Sequence, residues 1–332
     1  MKSIIIITDS QVKKLYGLKL LAHLNAIGIF ASLFSFPAGE KSKTLSTVVR
    51  LQEQMFKSGC GRDVKVVALG GGVVGDVAGF VASTYMRGVS LIQIPTTLLA
   101  MIDSSIGGKT GVNNRFGKNL IGSFYQPEAT VLDVGFLETL SEKHLRNGLF
   151  EAAKIFLIRD KVMWKWLANN LDKVLARDKM ATEKVVKSAI KNKLAVVRND
   201  EKEAGERMVL NFGHTIGHAL EKLSGYKLLH GYAVGLGMLV ESKISELRGN
   251  LSHGEYLEIE RIICRLGVNK EELKKYDSKK IMSLIGLDKK VRKGVAHCVL
   301  LDKIGSVCRK NKQFAQPINE KIIIKSLKYF HS

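Results

Sequence analysis

The chain has 332 residues, 45% of them hydrophobic, enough to fill two cores of ordinary size, and it carries 52 Lys and Arg against 31 Asp and Glu, a formal net charge of +21. The basic residues are scattered over 173–193, 270–293 and 309–325 among acids and apolar side chains. With no basic arm, aromatic stripe or zinc-finger spacing, this is the pattern of a solvated surface, and no nucleic-acid partner is expected.

Cys60, Cys264, Cys298 and Cys308 lie far apart with no C-x-x-C pair, as reduced thiols of a cytoplasmic protein do. The apolar run at residues 4–7 is too short for a signal-peptide core or a membrane span, and no later run approaches spanning length. It reads as a buried first strand. Asp9 and Ser10 then supply capping side chains for a helix through 18–24. Strands at 29–36, 64–69 and 89–94 alternate with a helix at 44–58, the rhythm of a parallel α/β sheet. After the third strand comes Gly70-Gly-Gly-Val-Val-Gly-Asp76, and then a helix begins over 77–82. Gly70, Gly72 and Gly75 fit the G-x-G-x-x-G spacing that brings backbone N–H groups to a pyrophosphate. No acid follows about 20 residues on, where ribose hydroxyls are normally held. Asp9 and Glu40, at the ends of earlier strands, are the replacements.

Residues 103–127 hold Asp103, Lys109, Asn113, Lys118 and Asn119 among many glycines. That is poor material for regular structure and reads as a loop wrapping a polyoxygenated anion, with Lys as point charges and Asn as an amide donor. From about residue 140 helical periodicity takes over. The fold class is therefore α/β, with an N-terminal Rossmann-like parallel-sheet domain, residues 1–140, and a mostly α-helical C-terminal domain, 141–332.

Within the second domain, His214 and His218 of Asn211-Phe-Gly-His-Thr-Ile-Gly-His-Ala-Leu-Glu221 are four apart on a helix and share a face. His230 follows beside a turn glycine, and Glu151 and Lys154 share a face upstream. Imidazoles and a carboxylate suit zinc, though spacing leaves open which histidines bind, and a hydrogen-bonded core pair is the plain alternative. Lys193, Arg207 and Asn211 crowd toward the pair, with Glu203 between them.

The stretches GGGVVGDVAGF, IPTTLLAMIDSSIGGKTGVN, GKNLIGSFYQP and NFGHTIGHALE together resemble the 3-dehydroquinate synthases, sugar phosphate cyclases of the shikimate pathway, over nearly the whole chain. The resemblance implies conversion of 3-deoxy-D-arabino-heptulosonate 7-phosphate to 3-dehydroquinate and phosphate. It implies zinc, with cobalt as a possible substitute, on Glu151, His214 and His230, and leaves His218 to the substrate. It implies NAD held by Asp9, Glu40, Lys43, Gly71, Gly72, Asp76, Thr96, Thr97, Lys118 and Thr139, with Lys109 reaching both ligands. Catalytic contacts would come from Lys109, Lys154, Lys193, Arg207, Asn211 and His218. Arg87, Asp103, Asn119, Lys289 and Lys290 would also bind the sugar acid phosphate, with Arg87 reaching across a homodimer. Tyr232, Ile155, Phe156, Phe150 and Gln11 depart from the usual family residues, which touches rate and packing rather than the reaction. The rival readings are another NAD- and zinc-dependent cyclase such as a 2-deoxy-scyllo-inosose synthase, a zinc alcohol dehydrogenase, and a cationic binding protein.

Overall fold

The computed structural model describes residues 4–200, 205–287, 296–310 and 313–331. It divides into two compact units, Met1–Leu140 and Ser141–Ser332. Lys289, Lys290 and Glu203 lie outside the described residues.

In the first unit, β1 (Ile4–Asp9) leads through the short α1 (Ser10–Val12) and a π turn into α2 (Leu18–Ala26). Then follow β2 (Ala31–Phe36), α3 (Leu45–Lys57), β3 (Lys65–Gly70), α4 (Gly72–Thr84) and β4 (Ser90–Pro95). Next come β5 (Lys109–Asn114), β6 (Gly117–Phe124) and β7 (Ala129–Thr130). The main sheet runs β2-β1-β3-β4-β7, parallel throughout. The isoleucine run of β1 is apolar on both faces because both are covered. Ile5 and Ile7 pack with Val48, Leu51 and Met55 of α3 and Val77 and Val81 of α4, while Ile6 faces Tyr16, Leu20 and Leu24. The chain leaves β1 toward β2 on one side and β3 on the other. This switch point opens a crevice at the strand ends, where Asp9 and Gly70 stand.

Two expectations need correction. Helix α4 begins at Gly72, so Gly75 and Asp76 belong to its first turns rather than to a loop before it. Residues 109–124 form an antiparallel ribbon, not a loop. Glycine there permits close strand approach: a Cβ at Gly122 would sit 2.1 Å from the Thr110 carbonyl oxygen.

The second unit is built from α5 (Glu142–Arg159), α6 (Lys161–Leu175), α7 (Lys179–Asn199), α8 (His214–Leu223) and α9 (His230–Leu247). After these come α10 (His253–Arg265), α11 (Ser278–Leu287) and α12 (Glu320–Tyr329). Two small ribbons complete it: β8 (Ala296–Val299) with β11 (Ala315–Ile318), and β9 (Leu301–Lys303) with β10 (Ser306–Val307). Helix α9 is the buried spine, apolar or small from Ala233 to Val240. No described helix is long and apolar enough to cross a membrane.

Candidate functional site

Three helices of the second unit bring Glu151, His214 and His230 together, and glycine sets how closely they meet. At the α5–α9 contact a Cβ on Gly231 would lie 2.0 Å from the Asn147 carbonyl oxygen, and Gly231 N–H instead donates to Asn147 Oδ1 at 2.7 Å. At the α8–α9 contact a Cβ on Gly237 would lie 1.9 Å from the Gly213 carbonyl oxygen. Gly213, the residue before α8, has φ of 79°, the left-handed region glycine enters without cost. His230 is the first residue of α9, so Gly231 is helical rather than the turn glycine its sequence position implied.

Nε2 of His214 and Nε2 of His230 lie 3.6 and 3.4 Å from Glu151 Oε1. Ligands at 2.0–2.2 Å from a tetrahedral zinc stand about 3.3–3.6 Å apart, so the observed spacings are edges of such a tetrahedron. The other ring nitrogens are occupied as metal ligation requires: Nδ1 of His214 is 3.1 Å from the Phe212 carbonyl oxygen, and Nδ1 of His230 is 3.3 Å from Glu221 Oε2. With Nδ1 so held, Nε2 of each ring is the nitrogen left to a metal once it gives up any proton it carries. The donor set therefore fits a zinc-type ion. Burial would lower the His230 imidazole, but hydrogen bonds and charge from Glu151 and Glu221 outweigh it and push it up to about 10. Between two carboxylates the ring holds its proton, and a cation taking that nitrogen must displace it.

Glu151 is 0% exposed, and Lys154 Nζ meets its Oε2 at 2.5 Å from one turn on. Lys193 and Arg207 are also buried, an arrangement of cations inside a protein that suits an anionic ligand. His218 stands beside the other two imidazoles, with its ring 5.2 Å from that of His214 and 6.1 Å from that of His230. His218, Glu221 and His230 make a second group of potential donors. Asn211 closes the turn that carries Arg207. Glu221, absent from the sequence-based assignments, orients His230. Its signal was the last letter of NFGHTIGHALE, seven residues after His214 on the same helix. Two departures from the family pattern also meet here: the rings of Phe150 and Tyr232 pack edge to face at 5.0 Å across α5 and α9.

The first unit gathers a separate cluster. Lys43 Nζ pairs with Asp76 Oδ2 and Asn119 Oδ1, and Glu40 Oε1 accepts from Asn113 Nδ2 at 2.7 Å. Asn113 ties the ribbon down further, since its N–H donates to the Lys43 carbonyl and its Oδ1 accepts from Asn119 N–H. Asn119 itself has φ of 57°, which Asn tolerates better than most residues. Burial raises the Asp76 carboxyl to about 6 against the pull of Lys43, with Glu40 and Asp103 adding to the rise. Asp9 accepts from Gln11 N–H and Val12 N–H as the cap of α1. Gly71 caps α4 with no side chain, and a Cβ there would press to 3.1 Å on the Thr97 methyl. The bare N–H groups of this helix start suit a pyrophosphate, and Thr96 follows directly after β4 at the same strand ends. Thr139 Oγ1 bonds the Tyr16 hydroxyl, Lys109 opens β5, and Lys118 lies near the start of β6. Arg87 is exposed and left-handed, with φ of 69°.

The profile described as 3-dehydroquinate synthase N-terminal matches residues 33–147, and that described as 3-dehydroquinate synthase C-terminal matches residues 148–291. A 3-dehydroquinate synthase of Desulforamulus reducens is 44% identical over 307 residues, which is 92% of this chain and 86% of the relative. A crystal structure of 2-deoxy-scyllo-inosose synthase with carbaglucose-6-phosphate, NAD+ and Co2+ superposes with a TM-score of 0.90 at 28% identity, covering 99% of this chain and 91% of that one. A 2-epi-5-epi-valiolone synthase from Streptomyces hygroscopicus subsp. jinggangensis 5008 with NAD+ and Zn2+ gives a TM-score of 0.89 at 31% identity, with 99% and 90% covered.

Proposed function

The chain belongs to the 3-dehydroquinate synthase family, and from that premise we propose that it converts 3-deoxy-D-arabino-heptulosonate 7-phosphate to 3-dehydroquinate and phosphate, using NAD and a divalent metal. The observation that carries the metal half of this reading is the donor set Glu151, His214 and His230 at tetrahedral spacing. When bound, zinc or cobalt supplies a Lewis acid for substrate oxygens and NAD supplies a reversible hydride acceptor.

The chain's own groups do the holding and the proton traffic. Lys154, Lys193 and Arg207, buried and cationic, neutralise the phosphate and carboxylate of the substrate. Asn211 donates to hydroxyl oxygens, and His218 takes and returns a proton beside the ligand pair. Lys109, Asp103 and Asn119 grip the same substrate, and Lys289 and Lys290 add charge. Lys118, Lys43, Asp76, Glu40, Asp9, Gly71, Gly72, Thr96, Thr97 and Thr139 form the NAD side of the reading, supported by the uncapped start of α4. With the substrate oxidised to its ketone, the C–H on the adjacent carbon would be acidified and phosphate would leave from the next carbon along, itself accepting that proton, so the protein need supply no strong base there. A cytoplasmic homodimer with Arg87 shared between subunits completes the proposal.

The test is phosphate release from the seven-carbon acid phosphate, with and without NAD and a chelator, and with glucose 6-phosphate as competitor. Release that needs both NAD and metal, without net NADH, is the expected result. Release from glucose 6-phosphate alone would move the chain to another cyclase activity, and stoichiometric NADH would make it a dehydrogenase.

A further inference from the structure

Glu241 lies eleven residues beyond His230 on α9, about three helical turns, so the two side chains leave the same face. It is 0% exposed, and none of the roles above uses it. Its Oε2 accepts from Gly213 N–H at 2.8 Å and its Oε1 faces Ile216 N–H at 3.4 Å. Those are the cap and third-residue amides of α8, the donors that a Ser or Asp cap and its reciprocal Glu normally satisfy. Helix α8 has no cap side chain of its own, because Gly213 must be glycine to clear Val234 and Met238 of α9. The close crossing thus costs α8 its local cap, and a carboxylate from the opposing helix supplies it. His214 opens α8 between the two amides that Glu241 holds, and its Nδ1 leans on the carbonyl of Phe212 just before. The rotation of this one turn therefore sets where His214 Nε2 points.

We infer that Glu241 is a positioning residue for the metal centre, acting through the first turn of α8 to aim His214 at the ion; the inference rests on the proposed metal reading. It goes beyond a stability role because the groups it fixes flank a ligand directly. Partners of this kind change metal affinity by about 10–100-fold when removed.

The test uses the full-length, zinc-loaded protein and its Glu241→Gln variant, which keeps shape and one acceptor but turns an NH2 toward an amide donor. Chelator competition is expected to weaken zinc binding about tenfold or more. The visible bands of the cobalt-substituted protein should shift, and amide exchange at residues 213–216 should quicken, while NAD affinity stays as in the parent. Glu246→Gln is the control: Glu246 lies on the same helix and pairs with Lys243 and His253 at 2.6 Å each, and its loss should lower Tm without moving the zinc or cobalt readouts. If the Gln variant does not fold, Glu241→Asp carries the same readouts, with affinity expected between parent and loss. Parent-like zinc affinity, cobalt spectrum and exchange in a folded Glu241 variant overturn the inference. So does a Glu246→Gln protein that reproduces every change. A parent that holds less than one equivalent of metal, or a His230→Ala variant that retains it, brings down the metal reading itself.

Discussion

The two units solve opposite problems with their charged residues. In the second unit, Glu151, Lys154 and Glu241 are buried on long helices whose crossings are set by glycine. In the first, Lys43 is buried between Asp76 of α4 and Asn119 of the ribbon, while Glu40, beyond the end of β2, is exposed and accepts from Asn113. A buried carboxylate cannot trade its partner for water, so the second cluster is costly to disturb. The exposed members of the first cluster, Glu40 and Asn119, can release their internal bonds to a ligand at small cost. Affinity for metal should therefore depend on packing, and affinity for a nucleotide on electrostatics.

Glu151→Gln is the severest way to break this contrast. It removes a proposed ligand and leaves Lys154 as an uncompensated buried cation, which costs about 3–5 kcal/mol. Stoichiometric zinc should vanish by elemental analysis, and phosphate release should fall by roughly three orders of magnitude or more. A Gln variant that keeps zinc and turnover would remove the basis for treating the second unit as the metal-binding half.

Gly237→Ala tests packing without touching a charge. Its Cβ would fall 1.9 Å from the Gly213 carbonyl oxygen, so α8 and α9 must separate. Overpacking of this kind costs about 1–3 kcal/mol, read as a lower urea midpoint, and zinc affinity should drop with it. Gly71→Ala in the first unit meets only the Thr97 methyl at 3.1 Å. It should leave the urea midpoint nearly unchanged while weakening NAD binding, so equal stability losses in the two variants would erase the contrast.

How much of this was legible in the sequence follows the range of the interactions. The isoleucines of β1 and the spacing of His214 and His218 are local signals, and each falls in the element its pattern predicts, whereas the glycines after β3 open α4 itself rather than a loop before it. Glu241 pairs with an amide 28 residues away, and Glu221 with a histidine on the next helix. Such pairings arise only when helices cross, and no periodicity announces them. The ribbon of β5 and β6 was hidden for another reason. Its glycines, which read as loop formers, are there because two backbones approach too closely for side chains.

The smallest expected effect concerns Asp76, and pH isolates it. Burial outweighs Lys43 and holds this carboxyl at about 6, above the ordinary 3.8. The folded state thus binds the proton more tightly than the unfolded chain does. That contribution to stability is fully present below pH 3.8 and is lost as pH rises through about 6. Asp76→Asn mimics the protonated form at every pH, keeps an acceptor for Lys43, and should remove this decline. With 18% of the side chain exposed, the difference between the two proteins' pH profiles should be on the order of 1 kcal/mol. Urea unfolding at a series of pH values between 4 and 7 measures it. If Asp76→Asn instead shows the parent's slope, the Lys43–Asp76 pair is not strained by burial, and the first unit's cluster is as settled as the second's.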